Sequence, residues 1–185
     1  MTNIRPATRD AILEAAFQIF AERPSASLGD VAQYAGVGRA TLHRHFSSRQ
    51  ALMAALAHAA MTELNAAVDA AVLHATSHTE GLKLALEAIV PLANRQWFLS
   101  HEIADADPAI AAAYEKDRQE LLVEIEAARA EGTFAADMPA TWIAEAFENL
   151  LYAALSMVRS GEATPSQASD LAWRTLTLGL RGEQR

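Results

Sequence analysis

Apolar side chains recur at intervals of three and four along most of this chain, the spacing of amphipathic helices. Ala11, Ile12, Ala15, Ala16, Ile19 and Phe20 predict a first helix from about Thr8 to Glu22, with Thr8 as its cap. Leu28, Val31, Ala32 and Ala35 predict a short second helix. Ser27 and Asp30 have capping-box spacing ahead of it, and Gly36 tolerates the positive φ that ends a helix. A third short helix, Arg39 to His45, follows, with Leu42 and Phe46 four apart and directed inward. Ser47 and Gln50 repeat the capping spacing. They open a long fourth helix to about His74, striped by Leu52, Leu56, Ala60, Leu64 and Val68.

Residues 75–80 read as a loop, with Thr79 as the next cap. The segment from Glu80 to about Ala104 is apolar along much of its length but broken by Pro91, which predicts a kink or two helices. Asp107-Pro108 is a cap followed by a first-turn proline, and the helix it opens runs to about Glu131, where Gly132 stops it. Pro139 starts a helix to about Ser160, and Thr164-Pro165-Ser166-Gln167 starts the last one. No stretch alternates apolar and polar residues long enough for a strand, so the expected class is all-α.

The helix after Pro139 is apolar beyond a single stripe. Ile143, Phe147, Leu150, Ala154, Leu155 and Val158 fill one face, and Trp142, Ala146, Leu151, Ala153 and Met157 widen it. Such width predicts burial on two sides. Together with the last helix it predicts a four-helix interface between two copies about a two-fold axis. Leu151, Leu155, Val158, Leu171, Thr175 and Leu176 are its candidate residues, and the alternative is that this surface is inner core.

Composition and charge narrow the function. The 185 residues are 51% hydrophobic and include no cysteine, which excludes disulfides and thiolate metal sites. There is no apolar signal core and no apolar run of membrane-spanning length, so a soluble cytoplasmic protein without a membrane partner is expected. The net charge of −8 is unevenly spread. Residues 1–60 carry six arginines against four acidic side chains, while the remainder is net −10. The basic end suits a phosphate-facing surface, and Arg5 and Arg9 in or near the N-terminal arm could add to it.

The basic end also holds the candidate chemistry. Two short helices joined by a glycine corner form a helix-turn-helix, whose second helix can enter the DNA major groove. Arg39 is placed to read guanine O6 and N7, and Thr41 and His43 suit phosphate or thymine-methyl contact. Arg44 and His45 lie one turn on. Arg49 stands in the first turn of the next helix, where a cation opposes the helix dipole unless a phosphate meets it. The plainer readings are a solvated charge for Arg39 and packing for His45. Past Pro91, the residues Asn94, Trp97, Phe98 and His101, with Tyr114 and Phe147, mix polar and large apolar groups as pocket linings do. They could equally be core aromatics with one satisfied histidine. His74 and His78 straddle a helix end, and HEIAD (101–105) lacks the second histidine of a zinc-protease motif. No catalytic constellation, metal or cofactor is expected.

The run AILEAAFQIFAE (11–22) followed by DVAQYAGVGRATLHRHFSSRQAL (30–52) resembles the DNA-binding domain of the tetracycline-repressor (TetR) family. The resemblance covers about the first third of the chain. Gly38 stands where a serine is usual, His43 for tyrosine, Arg49 for lysine, and Arg23-Pro24 for the glycine that usually ends the first helix. It implies a three-helix DNA-binding domain over 1–50 and a helical effector-binding and dimerisation domain over 51–185, linked by the long fourth helix. It assigns DNA contact to Arg39, Ala40, Thr41, His43, Arg44, His45 and Arg49. The expected function is a homodimeric repressor that a small molecule releases from a palindromic operator. The alternative is a ligand-binding or interaction module whose helix-turn-helix is only structural.

Overall fold

A computed structural model describes residues 8–102 and 108–179, and the side chains of all of these but 100–102. Every regular element among the described residues is helical. α1 (Thr8–Glu22), α2 (Leu28–Tyr34) and α3 (Arg39–His45) form the N-terminal head. α4 (Arg49–Val72) leads into α5 (His78–Ile89), α6 (Ala93–Glu102), α7 (Pro108–Ala130), α8 (Ala140–Ser160) and α9 (Pro165–Gly179). The arm residue Arg5, the capping residue Asp107 and the segment 103–107 lie outside the described residues.

Most helix boundaries follow the capping chemistry. Ser27 accepts from Asp30 N while Asp30 accepts from Ser27 N, the capping box expected for α2. Thr164 and Gln167 make the same reciprocal pair before α9, with Pro165 as its first residue. Gly36 ends the α2 corner at φ 67° and Gly132 follows α7 at φ 88°. At Pro91 the chain forms a single 3-10 turn, Val90–Leu92, that separates α5 from α6.

Four expectations need correction. α4 is capped by Ser48, which accepts from Ala51 N, and not by Ser47. α5 is capped by Ser77, while Thr79 lies inside the helix. Hydroxyl residues one or two positions apart offer alternative caps, and only the backbone selects between them. Thr8 is already helical. Finally, α4 spans 24 residues and is apolar enough by composition to cross a bilayer, contrary to the expectation that no run reaches that length. Alanine methyls supply much of that character. Leu52, Leu56, Ala57, Ala60 and Leu64 form one buried stripe of α4, which packs on α5, α6 and α1.

Two core clusters organise the packing. The first joins α1, α2 and α3 to the N-terminal half of α4 and continues into Phe98 and Leu99 of α6 and Ile110 of α7. The second fills the body: Leu82, Leu86, Ile125, Ile143, Phe147, Leu151, Leu155 and Leu176 all belong to it. The head's core therefore does not close at residue 50. It extends along α4 and under α6, so the head and body share packed surface.

The N-terminus of α5 is held by α7 and by Glu131, the residue that follows it. Glu131 accepts from the backbone N–H groups of His78 and Thr79 at 2.8 and 2.9 Å, and His78 Nδ1 lies 2.9 Å from Glu124. The hydrogen bond to Glu124 raises the His78 pKa above its ordinary value, and nearby Glu131 adds to this. A raised histidine pKa contributes stability that is present below about pH 6.5 and is lost as pH rises through the folded value. The thermal midpoint of the wild type should thus fall relative to His78→Gln between pH 6 and pH 8. The pair is exposed, so this difference should be at most about 2 °C. Parallel pH profiles for the two proteins would remove His78 from the account.

Candidate nucleic-acid interface

The sidedness of α3 follows from its sequence. Leu42 is fully buried and Phe46, just past the helix, is nearly so, and both join the core formed with α1 and α4. With that face fixed, Arg39, Ala40, His43, Arg44 and His45 are exposed and Thr41 is half-buried. The corner that aims α3 is built by Gly36 and Val37. Gly36 N–H donates to Gln33 O, Val37 N–H donates to Ala32 O at 2.9 Å, and the Val37 side chain packs on the core. Gly38 is the N-cap of α3 and provides no side-chain cap.

The exposed side chains are partly pre-arranged. Arg44 Nη2 donates to Thr41 Oγ1 at 3.0 Å, which ties the two into one polar edge. The Arg39 guanidinium folds back toward α2, and its Nη2 lies 3.3 Å from where a Cβ on Gly29 would stand. A shallow depression of about 200 Å³ lies there, lined by Ser27, Leu28, Gly29, Arg39, Leu42 and His43. Hydrogen bonds from the Ser27 hydroxyl and backbone hold the Asp30 carboxyl below its ordinary pKa, with smaller help from Arg23 and Arg39. Asp30, as an anion, completes the capping box that steadies the start of α2. Arg9 of α1 stands over the Phe46 ring at 5.6 Å.

Arg49 stands apart from this set. It is half-buried, with Nη2 donating to Pro24 O at 2.6 Å and Nη1 donating to Ala26 O. Its guanidinium carbon lies 4.5 Å from the Phe20 ring centroid.

The residues expected to line one effector pocket divide among a cleft and the two core clusters. Phe98 is buried against α1, edge-on to Phe17 with ring centroids 5.6 Å apart. Tyr114 packs against that same cluster, whereas Phe147 belongs to the other core. Trp97 lies under the Arg159 guanidinium, 4.2 Å from it. The side chain of His101 lies outside the described residues. Asn94 lines a cleft of about 410 Å³ between head and body, with Gln18, Glu22, Arg95 and Arg159. The physical reason is that helical periodicity groups residues by face, while the packing of α6 gives its successive faces to different neighbours.

The expected dimer residues divide similarly. Leu151, Leu155 and Leu176 are buried within the subunit and are unavailable to a second copy, and Val158 is half-buried. Leu171 and Thr175 are exposed. Beside them, Trp142 and Leu178 also reach solvent, at 58% and 60% exposure.

Two arginines that no local sequence pattern singles out join head to body. Arg95 of α6 pairs with Glu14 of α1 and, at 2.9 Å, with Glu63 of α4, and lies 4.7 Å from the Phe17 ring centroid. Burial works against the charge on Glu14, yet hydrogen bonds from Gln18 and Arg95 leave its pKa below the ordinary value. Arg159 of α8 donates to Ala21 O of α1 at 3.2 Å. Glu14 and Glu63 lie 81 and 32 residues from Arg95, and Ala21 lies 138 from Arg159, so no local spacing could reveal them.

The sequence profile for bacterial regulatory proteins of the tetR family matches residues 12–56, which cover most of α1, all of α2 and α3 and the start of α4. The chain is 31% identical over 177 residues to the HTH-type transcriptional repressor LfrR of Mycolicibacterium smegmatis, covering 95% of this chain and 92% of that protein. The structure of the TetR-like regulator LfrR from Mycobacterium smegmatis in complex with proflavine superposes with a TM-score of 0.76, covering 96% of this chain and 99% of that one at 31% identity. The ketosteroid transcriptional regulator KstR2 of Mycobacterium tuberculosis shares the fold with a TM-score of 0.83 at 19% identity, covering 97% of each chain.

Proposed function

The chain belongs to the TetR family and is a DNA-binding transcriptional regulator, and from that premise we propose that it works as a homodimeric repressor of a palindromic operator, released by a small-molecule ligand. The observation that carries this reading is the sidedness of α3. One face is locked into the core by Leu42 and Phe46, and the other offers Arg39, Ala40, Thr41, His43, Arg44 and His45 outward. Residues 1–50 would hold the DNA-reading part and residues 51–185 the effector and dimerisation part.

A second copy fits the outer face of α8 and α9. Trp142, Leu171 and Leu178 give that face exposed apolar groups, and Ala153 and Ser156 are small, exposed side chains on α8 that permit close approach. Two-fold pairing there presents two α3 helices to successive major grooves, which repeat at roughly 34–36 Å. A ligand releases the operator only if it binds better to a head spacing that no longer matches this repeat. A coupling of about 1–3 kcal/mol, roughly 5- to 150-fold in affinity, is the usual scale. The relative's complex with proflavine makes that planar cation the first ligand to try, and the acidic body is compatible with a cation.

The test begins by selecting sites from genomic DNA with the purified protein. The expected site has two-fold symmetry, and its binding weakens steeply with salt because phosphate contacts release counterions. Sedimentation should give twice the chain mass, and proflavine should lower operator affinity. Salt-insensitive binding, or a monomer on the selected site, would defeat the proposal.

A further inference from the structure

We propose that Arg49 is a positioning residue for DNA recognition: it pins the two ends of the helix-turn-helix to each other and so sets the angle at which α3 is presented. The proposal rests on the operator-binding reading above. Its basis is the use of the guanidinium. Nη2 donates to Pro24 O at 2.6 Å, Nη1 donates to Ala26 O, and the ring of Phe20 lies beneath at 4.5 Å. Ala26 and Phe20 are both buried, so this contact sits at the edge of the head's core.

Local chemistry explains the arrangement. Arg49 is the first residue of α4, where a positive charge opposes the helix dipole. Folding the guanidinium away, onto two carbonyl oxygens and an aromatic face, offsets that conflict. The loop gains in turn. Arg23 N–H donates to Ile19 O and Ala26 N–H donates to Arg23 O, while Arg49 serves the oxygens of Pro24 and Ala26.

The mechanical consequence follows from where these residues stand. The loop at 24–26 leads directly into Ser27, the N-cap of α2, and α2 carries α3 through the Gly36 corner. α3 then returns through Phe46 and Ser48 to Arg49. Everything between residues 26 and 49 is therefore the reading element, and Arg49 ties its exit to its entrance. Lysine, with a single compact ammonium and no planar fork, cannot serve both oxygens and the ring together.

The experiment compares full-length Arg49→Lys and Arg49→Gln with wild type. It reads operator affinity across a salt series, affinity for non-operator duplex, and amide exchange at residues 25–28 of the free protein. Both variants should lose operator affinity on the order of tenfold, the scale of a charge-assisted hydrogen bond. The salt slope and the non-operator affinity should stay at wild-type values, exchange in the loop should accelerate, and lysine should not rescue glutamine. The proposal is overturned if Arg49→Lys binds operator like wild type while Arg49→Gln loses about 0.9 of salt slope per head, the mark of a phosphate contact. It is also overturned if the loop amides exchange at wild-type rates in both variants. Absence of any operator for the wild type would instead defeat the functional reading, and the exchange measurement would still judge the strap.

Discussion

Arg39→Ala protein is expected to keep its fold and lose most of its operator affinity. Arg39 opens α3, is exposed, and has no hydrogen-bond partner that the helix needs for its own stability. Its guanidinium rests near Gly29 within reach of the Asp30 charge, a loose berth from which it can swing to a base edge. A bidentate arginine–guanine contact is worth about 1–3 kcal/mol. A two-fold dimer makes it twice, so the loss should be about 2–6 kcal/mol, or roughly thirty-fold to more than ten-thousand-fold. Affinity for non-operator duplex should change far less. Circular dichroism should be unchanged, because Leu42 and Phe46 hold α3 to the core without help from Arg39. Operator binding within threefold of wild type would mean that Arg39 is a solvated charge.

Phe98→Ala should be among the most destabilising single changes in this chain. Phe98 is 5% exposed, belongs to α6, and packs edge-on to Phe17 of α1 with the ring planes at 89°. Truncating a buried phenylalanine removes its transfer energy and leaves a cavity, at about 3–5 kcal/mol. The T-shaped pair adds about 0.5–1.5 kcal/mol beyond burial, which a double-mutant cycle with Phe17→Ala should recover. Urea unfolding followed by circular dichroism measures both. The position has a second consequence, since Phe98 and Arg95 lie one turn apart on α6 and both grip α1. At temperatures where Phe98→Ala is still folded, any ligand that lowers operator affinity in the wild type should lower it less in the variant, because the head is then less firmly coupled to the body. A stability loss under about 1 kcal/mol would show that the site closes over the missing ring and that this contact is not a main head–body joint.

Where α6, α8 and Arg49 depart from expectation, the cause is which helix packs beside which. α8 was legible as a helix apolar on two sides, but the choice of which side faces the subunit's own core was not. Leu151 and Leu155 turned inward, and Trp142 and Ala153 outward. Asn94, Trp97 and Phe98 are consecutive in pattern yet serve a cleft, a cation–π stack and a core. Arg49 was legible as a cation badly placed for its own helix. Its actual partners, the oxygens of Pro24 and Ala26, depend on how the α1 exit loop folds back over α4.

What the sequence alone determined is everything that acts over a few residues. Hydrophobic period, capping hydroxyls, prolines and the Gly36 corner fixed helix identity, order and most boundaries. They also fixed the inward and outward faces of α3, because one buried leucine and one buried phenylalanine leave a seven-residue helix no freedom of rotation. What only the tertiary structure decided is everything that depends on which helix lies beside which. That includes the arginine joints from α6 and α8 to α1, the division of α8 between core and open face, and the internal use of Arg49. The physical reason is that a side chain's periodicity reports the direction it points, whereas its partner is set by chain segments tens of residues away whose packing no local pattern records.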